Sequence, residues 1–180
     1  FQPYDLSPLL RGPANVTGRA DISGLASWTA DGMKAGATVD LRKMGFTLAA
    51  AGVFEGVSGK VEVNDLMTMK SAPGQQITMD KVTLGLPIEK GTIRFQLIGF
   101  DAIRLEGAEW PFGGGFIRIK PVDFAFTEGA DNRIVAQAVN WDLAKLVEQF
   151  KLPDVKLVGI VGGDFPVVFR TGSATIDNAT

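Results

Sequence analysis

From Leu84 to Lys120 the chain alternates apolar and polar residues in three runs. Ile93, Phe95 and Leu97 stand against Arg94 and Gln96; Ile103 and Leu105 against Arg104 and Glu106; Ile117 and Ile119 against Arg118 and Lys120. Successive side chains of a strand point to opposite faces, so each run predicts a half-buried strand with one apolar and one charged face. Gly99–Phe100–Asp101 and the stretch from Pro111 to Gly115 supply the reversals. Together the runs make an antiparallel meander whose apolar face needs a cover.

The alternation extends to both sides. Val16 to Ile22, Ala35 to Lys43, Phe46 to Val53 and Gly59 to Val63 predict strands before the meander, with breaks at Gly52 and Gly56. Ala72–Pro73–Gly74–Gln75 is a turn, followed by Ile77, Met79, Val82 and Leu84. Downstream, Val122 to Phe126 and Ile134 to Val139 predict strands around a hairpin loop from Glu128 to Asn132, and Val155 to Ile176 returns to strand. Gly24 to Gly32 fits either a short helix capped by Ser23 or a loop.

One segment is helical by its pattern. Leu143, Leu146, Val147 and Phe150 form a single apolar stripe behind Asn140 as cap, and Pro153 stops it. A helix of about eleven residues is only about 16 Å long, too short to cover a many-stranded sheet. The expected fold is therefore mostly β: a curved antiparallel multi-stranded sheet, groove-like or sandwich-like, with one amphipathic helix near residues 140–150. Residues 1–13, with Pro3, Pro8 and Pro13, read as an extended lead-in to a single β-rich domain over 14–180.

Composition narrows the function more than the fold. At 180 residues, 46% hydrophobic and 21% charged, the chain has the size and balance of one globular domain. A net charge of −2 offers no basic field for nucleic acid. There is no cysteine and no histidine. That removes thiol nucleophiles, Ser–His pairs, His or Cys metal sites and the usual base near neutral pH. An enzyme would have to work with carboxylates, Lys, Tyr or an oxygen-ligated metal, and no cofactor is expected. No apolar run is long enough to span a bilayer. The chain opens on Phe1 and is read as a piece of a longer protein, so a missing leader says nothing about location.

The residues able to carry chemistry have plainer readings. Gly113–Gly114–Gly115 opens no helix, so it reads as a turn and not as a phosphate cradle. Asp40, Glu62, Asp65 and Asp80 are carboxylates on separate strands and read as a solvated sheet face. Gly56-Val57-Ser58-Gly59 lacks the pattern of a nucleophile elbow and any His to serve it. Tyr4, the only tyrosine, has no plausible base. Asn15–Val16–Thr17 and Asn178–Ala179–Thr180 match the short N-glycosylation pattern. Trp110, Phe112 and Phe116 gather around the glycine turn as local packing or as the lip of an apolar groove. The stripe Leu143, Leu146, Val147 and Phe150 either covers part of the sheet or lies along such a groove.

Several landmarks recur in one order along the chain. They are Leu6–Ser7–Pro8, Pro73–Gly74–Gln75, Gly85–Leu86–Pro87–Ile88 with Gly91, Gly113 to Gly115 before an IRIKP strand, Val139–Asn140–Trp141–Asp142–Leu143, and Gly159-x-x-x-Gly163-x-x-Pro166–Val167. Together they resemble the C-terminal domain of the YdbH family, which carries a "dicarboxylate transport" domain name and belongs to the AsmA-like group that includes TamB. The resemblance implies a non-catalytic part of a long β-groove protein in the periplasm of a Gram-negative bacterium, reaching toward the outer membrane and carrying phospholipid between the two membranes. It further implies an inner-membrane anchor outside this segment and a small outer-membrane lipoprotein as partner, joined by strand addition. Acyl chains would lie on Ile93, Phe95, Leu97, Ile103, Leu105, Ile117 and Ile119.

The competing reading is a closed β-sandwich with a dry core, acting as a docking module for an envelope protein through strand addition. A sugar-binding surface built on Trp28, Trp110 and Trp141 is a weaker one, because the three are dispersed. A dicarboxylate enzyme or transporter is disfavoured, since no basic clamp is evident.

Overall fold

The computed structural model describes residues 13–30, 32–48, 52–127, 129–152, 154–170 and 173–176. The lead-in before Pro13 (with Tyr4 and Leu6–Ser7–Pro8), Glu128, Pro153 and the Asn178–Ala179–Thr180 triplet lie outside them. The described elements are β1 (Pro13–Thr29), β2 (Gly32–Leu48), β3 (Gly52–Val63), β4 (Gln75–Leu84), β5 (Leu86–Leu97), β6 (Ala102–Phe112), β7 (Gly115–Ile119), β8 (Val122–Ala125), β9 (Asn132–Asp142), α1 (Leu143–Gln149), β10 (Ile160–Arg170) and β11 (Ser173–Ile176). All eleven strands form one open antiparallel sheet in the order β1-β2-β3-β4-β5-β6-β7-β9-β10-β11, with β8 beside β6. The closed sandwich therefore does not form.

Six local expectations change. Gly56 breaks no strand, since β3 runs through it from Gly52 to Val63, and β8 and β9 form no hairpin, since β8 pairs with β6 and β9 with β7 and β10. Gly24 to Thr29 is neither helix nor loop: β1 continues to Thr29 and pairs with β2 as far as Trp28↔Met33 and Thr29↔Gly32. Small residues there hide the period, and only the partner strand shows it. Phe46 to Val53 is not one strand, because Thr47 pairs with Val53 and Leu48 with Gly52. Two apolar hairpin arms in series read as one run in sequence. β10 starts at Ile160, so Val155 to Gly159 lies outside the sheet. The helix is also shorter, Leu143–Gln149, and its cap is Asp142, whose carboxylate accepts from the Ala144 N–H at 2.9 Å. Asn140 instead sits in β9 with φ 53°, a left-handed conformation that Asn tolerates better than most residues.

β7 and β8 behave as one strand broken at Lys120–Pro121, since both pair with β6 on the same side. Proline has no N–H to give a ladder. Past the break, Asn132 takes over: its amide accepts from the Ala125 N–H and donates to the Ala125 carbonyl, both at 2.8 Å.

A single layer would normally leave its apolar face wet, yet Val57 and Val82 are only 2% and 1% exposed and Met79 is buried with them. Their cover comes from the same sheet: Leu41, Met44, Phe46, Phe54, Ile77, Ile88, Ile93 and Trp110. The sheet must bend toward this side, and the device is visible in the sequence of burial. In four neighbouring strands the in–out alternation slips by one, leaving two consecutive residues outside the core: Arg42–Lys43, Glu55–Gly56, Asp80–Lys81 and Glu89–Lys90. Lys43, Gly56 and Lys90 have positive φ at 50°, 69° and 59°. The slips of β3, β4 and β5 lie in register, Glu55 opposite Lys81 and Lys81 opposite Glu89, while that of β2 falls beside them, between the pairs Leu41↔Gly59 and Met44↔Val57; together they bend the sheet, in the way a bulge bends a strand.

Side chains on the outside hold this bend. Lys43 reaches across β3 to Asp80 on β4 at 2.7 Å. It can do so because Gly56 stands between them; a Cβ there would fall 2.0 Å from Asp80 Oδ2. Lys81 pairs with Glu55 at 2.5 Å, and the Lys43 N–H donates to Ser58 Oγ at 3.0 Å.

Replacing Gly56 by alanine is expected to lower unfolding stability by about 1–3 kcal/mol, from the left-handed φ and the lost Lys43–Asp80 path. Urea denaturation reads this as a lower midpoint at unchanged slope. An unaltered midpoint would remove the bend from the account.

Candidate functional site

The register of the sheet places one apolar row across nine strands. Ala20 pairs with Leu41, Leu41 with Gly59, Gly59 with Ile77, Ile77 with Ile93 and Ile93 with Ala108. Ala108 pairs with Ile119, Ile119 with Ala136 and Ala136 with Phe165. No polar side chain interrupts it. Paired residues share a face, so the row lies on the side that holds the buried core.

All seven residues expected on the apolar face stand on this side. Phe95 pairs with Leu105 and Leu97 with Ile103, while Ile117 pairs with Trp110. Phe95 is buried, and the other six are half-buried. The alternation survives a register shift at Arg94/Phe95, where Glu106 is the extra residue. Its carboxylate accepts from the Gly74 N–H at 2.9 Å, tying the turn before β4 to β6. Sequence reading missed the outer part of the face on β1 and β2. Ile22, which pairs with Val39, and Trp28, which pairs with Met33, continue it, and Trp28 is 76% exposed.

The proposed lip residues divide. Trp110 lies on the apolar side against Gly91, where a Cβ would fall 2.0 Å from its Nε1. Its buried indole N–H has no hydrogen-bond partner among the described residues, so hydrophobic contact outweighs a donor whose loss costs about 1–3 kcal/mol. Phe112 is buried between Trp141, 5.1 Å away, and Phe150, 6.3 Å away. Trp141 in turn stacks on Phe165 at 6.2 Å and donates to the Phe116 carbonyl at 2.9 Å. Phe116 departs from the expected group. Alternation with Ile117 puts it on the polar side, where the Arg118 guanidinium lies 5.4 Å from its ring centroid. Leu143, Leu146 and Val147 are half-buried and Phe150 is exposed. Leu146 reaches Gly113 of the β6–β7 turn. The helix closes one strand end, and among the described residues no other element covers the rest of the face.

The opposite side is a lattice of ion pairs. Asp21 and Asp40 are direct cross-strand partners, and Arg42 sits 3.6 Å from the first and 2.9 Å from the second. Arg104–Asp123, Arg118–Glu109 and Lys120–Asp164 pair at 2.7, 2.5 and 2.6 Å. The four carboxylates weighed as a catalytic group never meet. Asp40 pairs with Arg42, Glu62 with Lys60, Asp80 with Lys43, and Asp65 accepts from Thr68 Oγ1 and the Met67 N–H. Among the described residues no three His, Cys, Asp or Glu side chains gather as a metal site. No helix among them is long and apolar enough to cross a membrane.

An open sheet, apolar on one face and ion-paired on the other, defines a class of protein that offers extended apolar surface and not a pocket. The particular family is then shown by comparison: all of residues 1–180 match the YdbH-like family, described as intermembrane phospholipid transport protein YdbH, and the chain belongs to it. Intermembrane phospholipid transport is the family's business, which places it in the cell envelope. Neither a curated protein nor a solved structure matches the chain.

The charged face sets the pH behaviour. A hydrogen bond from Arg19 holds the Asp21 carboxyl below the usual range, with the charges of Arg19 and Arg42 adding to it; Arg104 does the same to Asp123, and Lys120 with Gln137 to Asp164. A carboxyl depressed in the folded state contributes stability above its unfolded pKa, near ~3.9, and loses it as pH falls through the folded value. Histidine is absent, so no side chain has an ordinary pKa between about 5 and 8. Calorimetry is expected to give a flat Tm from about pH 5.5 to 8 and a decline below about pH 4. A step centred near neutrality would contradict this.

Proposed function

We propose that this chain forms part of the lipid-carrying surface of its family, with acyl chains lying on the apolar side and head groups at the solvent edge. The observation that carries the reading is the unbroken row from Ala20 to Phe165. Eight steps of about 4.8 Å make it about 38 Å long. One leaflet of hydrocarbon is about 15 Å thick, half of a core of about 30 Å. The row is thus a path longer than a single acyl chain.

Affinity comes from burying apolar area, at about 25 cal/mol per Å², and makes little demand on directional contacts. Such binding allows a lipid to slide, as transport requires. Ile93, Phe95, Leu97, Ile103, Leu105, Ile117 and Ile119 are the residues assigned to it, with Trp110, Phe112 and the stripe of α1 bounding the strand end. The finer placement belongs to the same proposal: a periplasmic position in a Gram-negative envelope, an inner-membrane anchor elsewhere in the protein, and a small lipoprotein joined by strand addition. The sheet ends β1 and β11, each with one neighbour among the described strands, are where a strand would add.

Native mass spectrometry with lipid extraction tests the reading. The chain purified from a bacterial host is expected to carry phospholipid. Phe95→Asp and Leu105→Asp should lose it with circular dichroism unchanged, while Arg94→Asp on the opposite face should keep it. If buried Phe95 does not tolerate the change, half-buried Leu105 decides. An empty chain that takes up no added phospholipid would overturn the proposal and leave a protein-docking role.

A further inference from the structure

Between β9 and β10 the chain makes an excursion that the sheet does not require. Asp142 pairs with Ile160, so residues 143–159 project beyond the last cross-strand pair. The neck is fastened, because the Leu143 N–H donates to the Gly159 carbonyl at 3.0 Å. Its first half is α1, held against the β6–β7 turn through Leu146. Its second half packs on little. Leu157 and Ile160 are exposed, and Val158 is 94% exposed.

Exposed apolar residues scattered singly are ordinary, but a run of them on a fastened projection marks an interaction surface. Two neighbours narrow the partner. Lys151 and Lys156 interleave with the apolar residues and are themselves exposed. Neither has an ion pair among those described, unlike the paired lysines of the sheet. One acidic residue, exposed Asp154, lies between Lys151 and Lys156, so the stretch keeps an excess of positive charge among its apolar residues, and such a mix suits an interface with hydrocarbon on one level and phosphate on the next. The patch is also continuous with the apolar side, since Phe150 packs edge-on to Phe112.

We propose that this projection docks on a lipid bilayer surface, with Leu157, Val158 and Ile160 entering the acyl boundary and Lys151 and Lys156 meeting lipid phosphates. The apolar side would then open at the membrane. Docking and carrying are separate properties, and either can fail alone.

The test is flotation of the 180-residue chain with phosphatidylethanolamine–phosphatidylglycerol vesicles. The chain is expected to float, and Val158→Asp with Ile160→Asp to weaken vesicle binding by about tenfold or more. Lys151→Glu with Lys156→Glu should weaken it most at low salt. Leu105→Asp should still float, and the loop variants should still carry co-purified phospholipid; those two results separate this inference from the carrier reading. A chain that never floats, or loop variants that float like the parent, would overturn it. So would light scattering that shows the loop variants splitting a dimer with vesicle binding unchanged, which would assign the patch to a second copy.

Discussion

A single β layer has no second layer under which to hide its apolar side chains, and the bend through Lys43, Gly56 and Lys90 supplies the missing cover. Everything else follows from it. The bend lets Leu41, Met44, Phe46 and Phe54 close over Val57, Met79 and Val82, which gives the domain a core without closing the sheet. Each strand gives up one step of alternation for it. The charged residues left outside then hold the bend from its convex side, Lys43 to Asp80 over Gly56 and Lys81 to Glu55. Exposed pairs of this kind contribute little individually, about 0–1 kcal/mol. Their role is to keep the apolar face turned inward, where register errors would expose it.

The two faces answer different needs. Opposite charges in register pin the polar side, as in Arg104–Asp123 and Arg118–Glu109, and Arg42 bridges the like-charged partners Asp21 and Asp40. Such contacts are directional. The apolar side offers contacts of no fixed direction, and the Trp110 indole N–H, without a partner among the described residues, is buried. A surface of this type distinguishes hydrocarbon from water and little else, which suits a protein of an intermembrane phospholipid transport family.

The helix end is where the two properties meet. Phe112, Trp141, Phe150 and Phe165 form an aromatic chain from the sheet to the projection. Aromatic rings tolerate both a packed and a partly wet position. They carry the apolar character of the face out to the surface without an exposed polar gap.

Much of this was legible in the chain itself. The period-2 alternation around Ile93, Ile103 and Ile117 specified strands, their two faces and which residues share one, because a strand has only two sides. The missing His and Cys excluded most chemistry outright. Where sequence reading erred, the deciding partner lay elsewhere. Gly24 to Thr29 became strand only through its pairing with β2, and Phe46 to Val53 split because Thr47 met Val53. Asn140 lost the capping role to Asp142 once β9 was extended by its pairing with β10. The gathering of four alternation slips into one bend, three of them in register, is invisible in any single strand. Local sequence determined the character of each strand face; only the tertiary register decided that the slips coincide, because bending one layer requires neighbouring strands to yield at the same place.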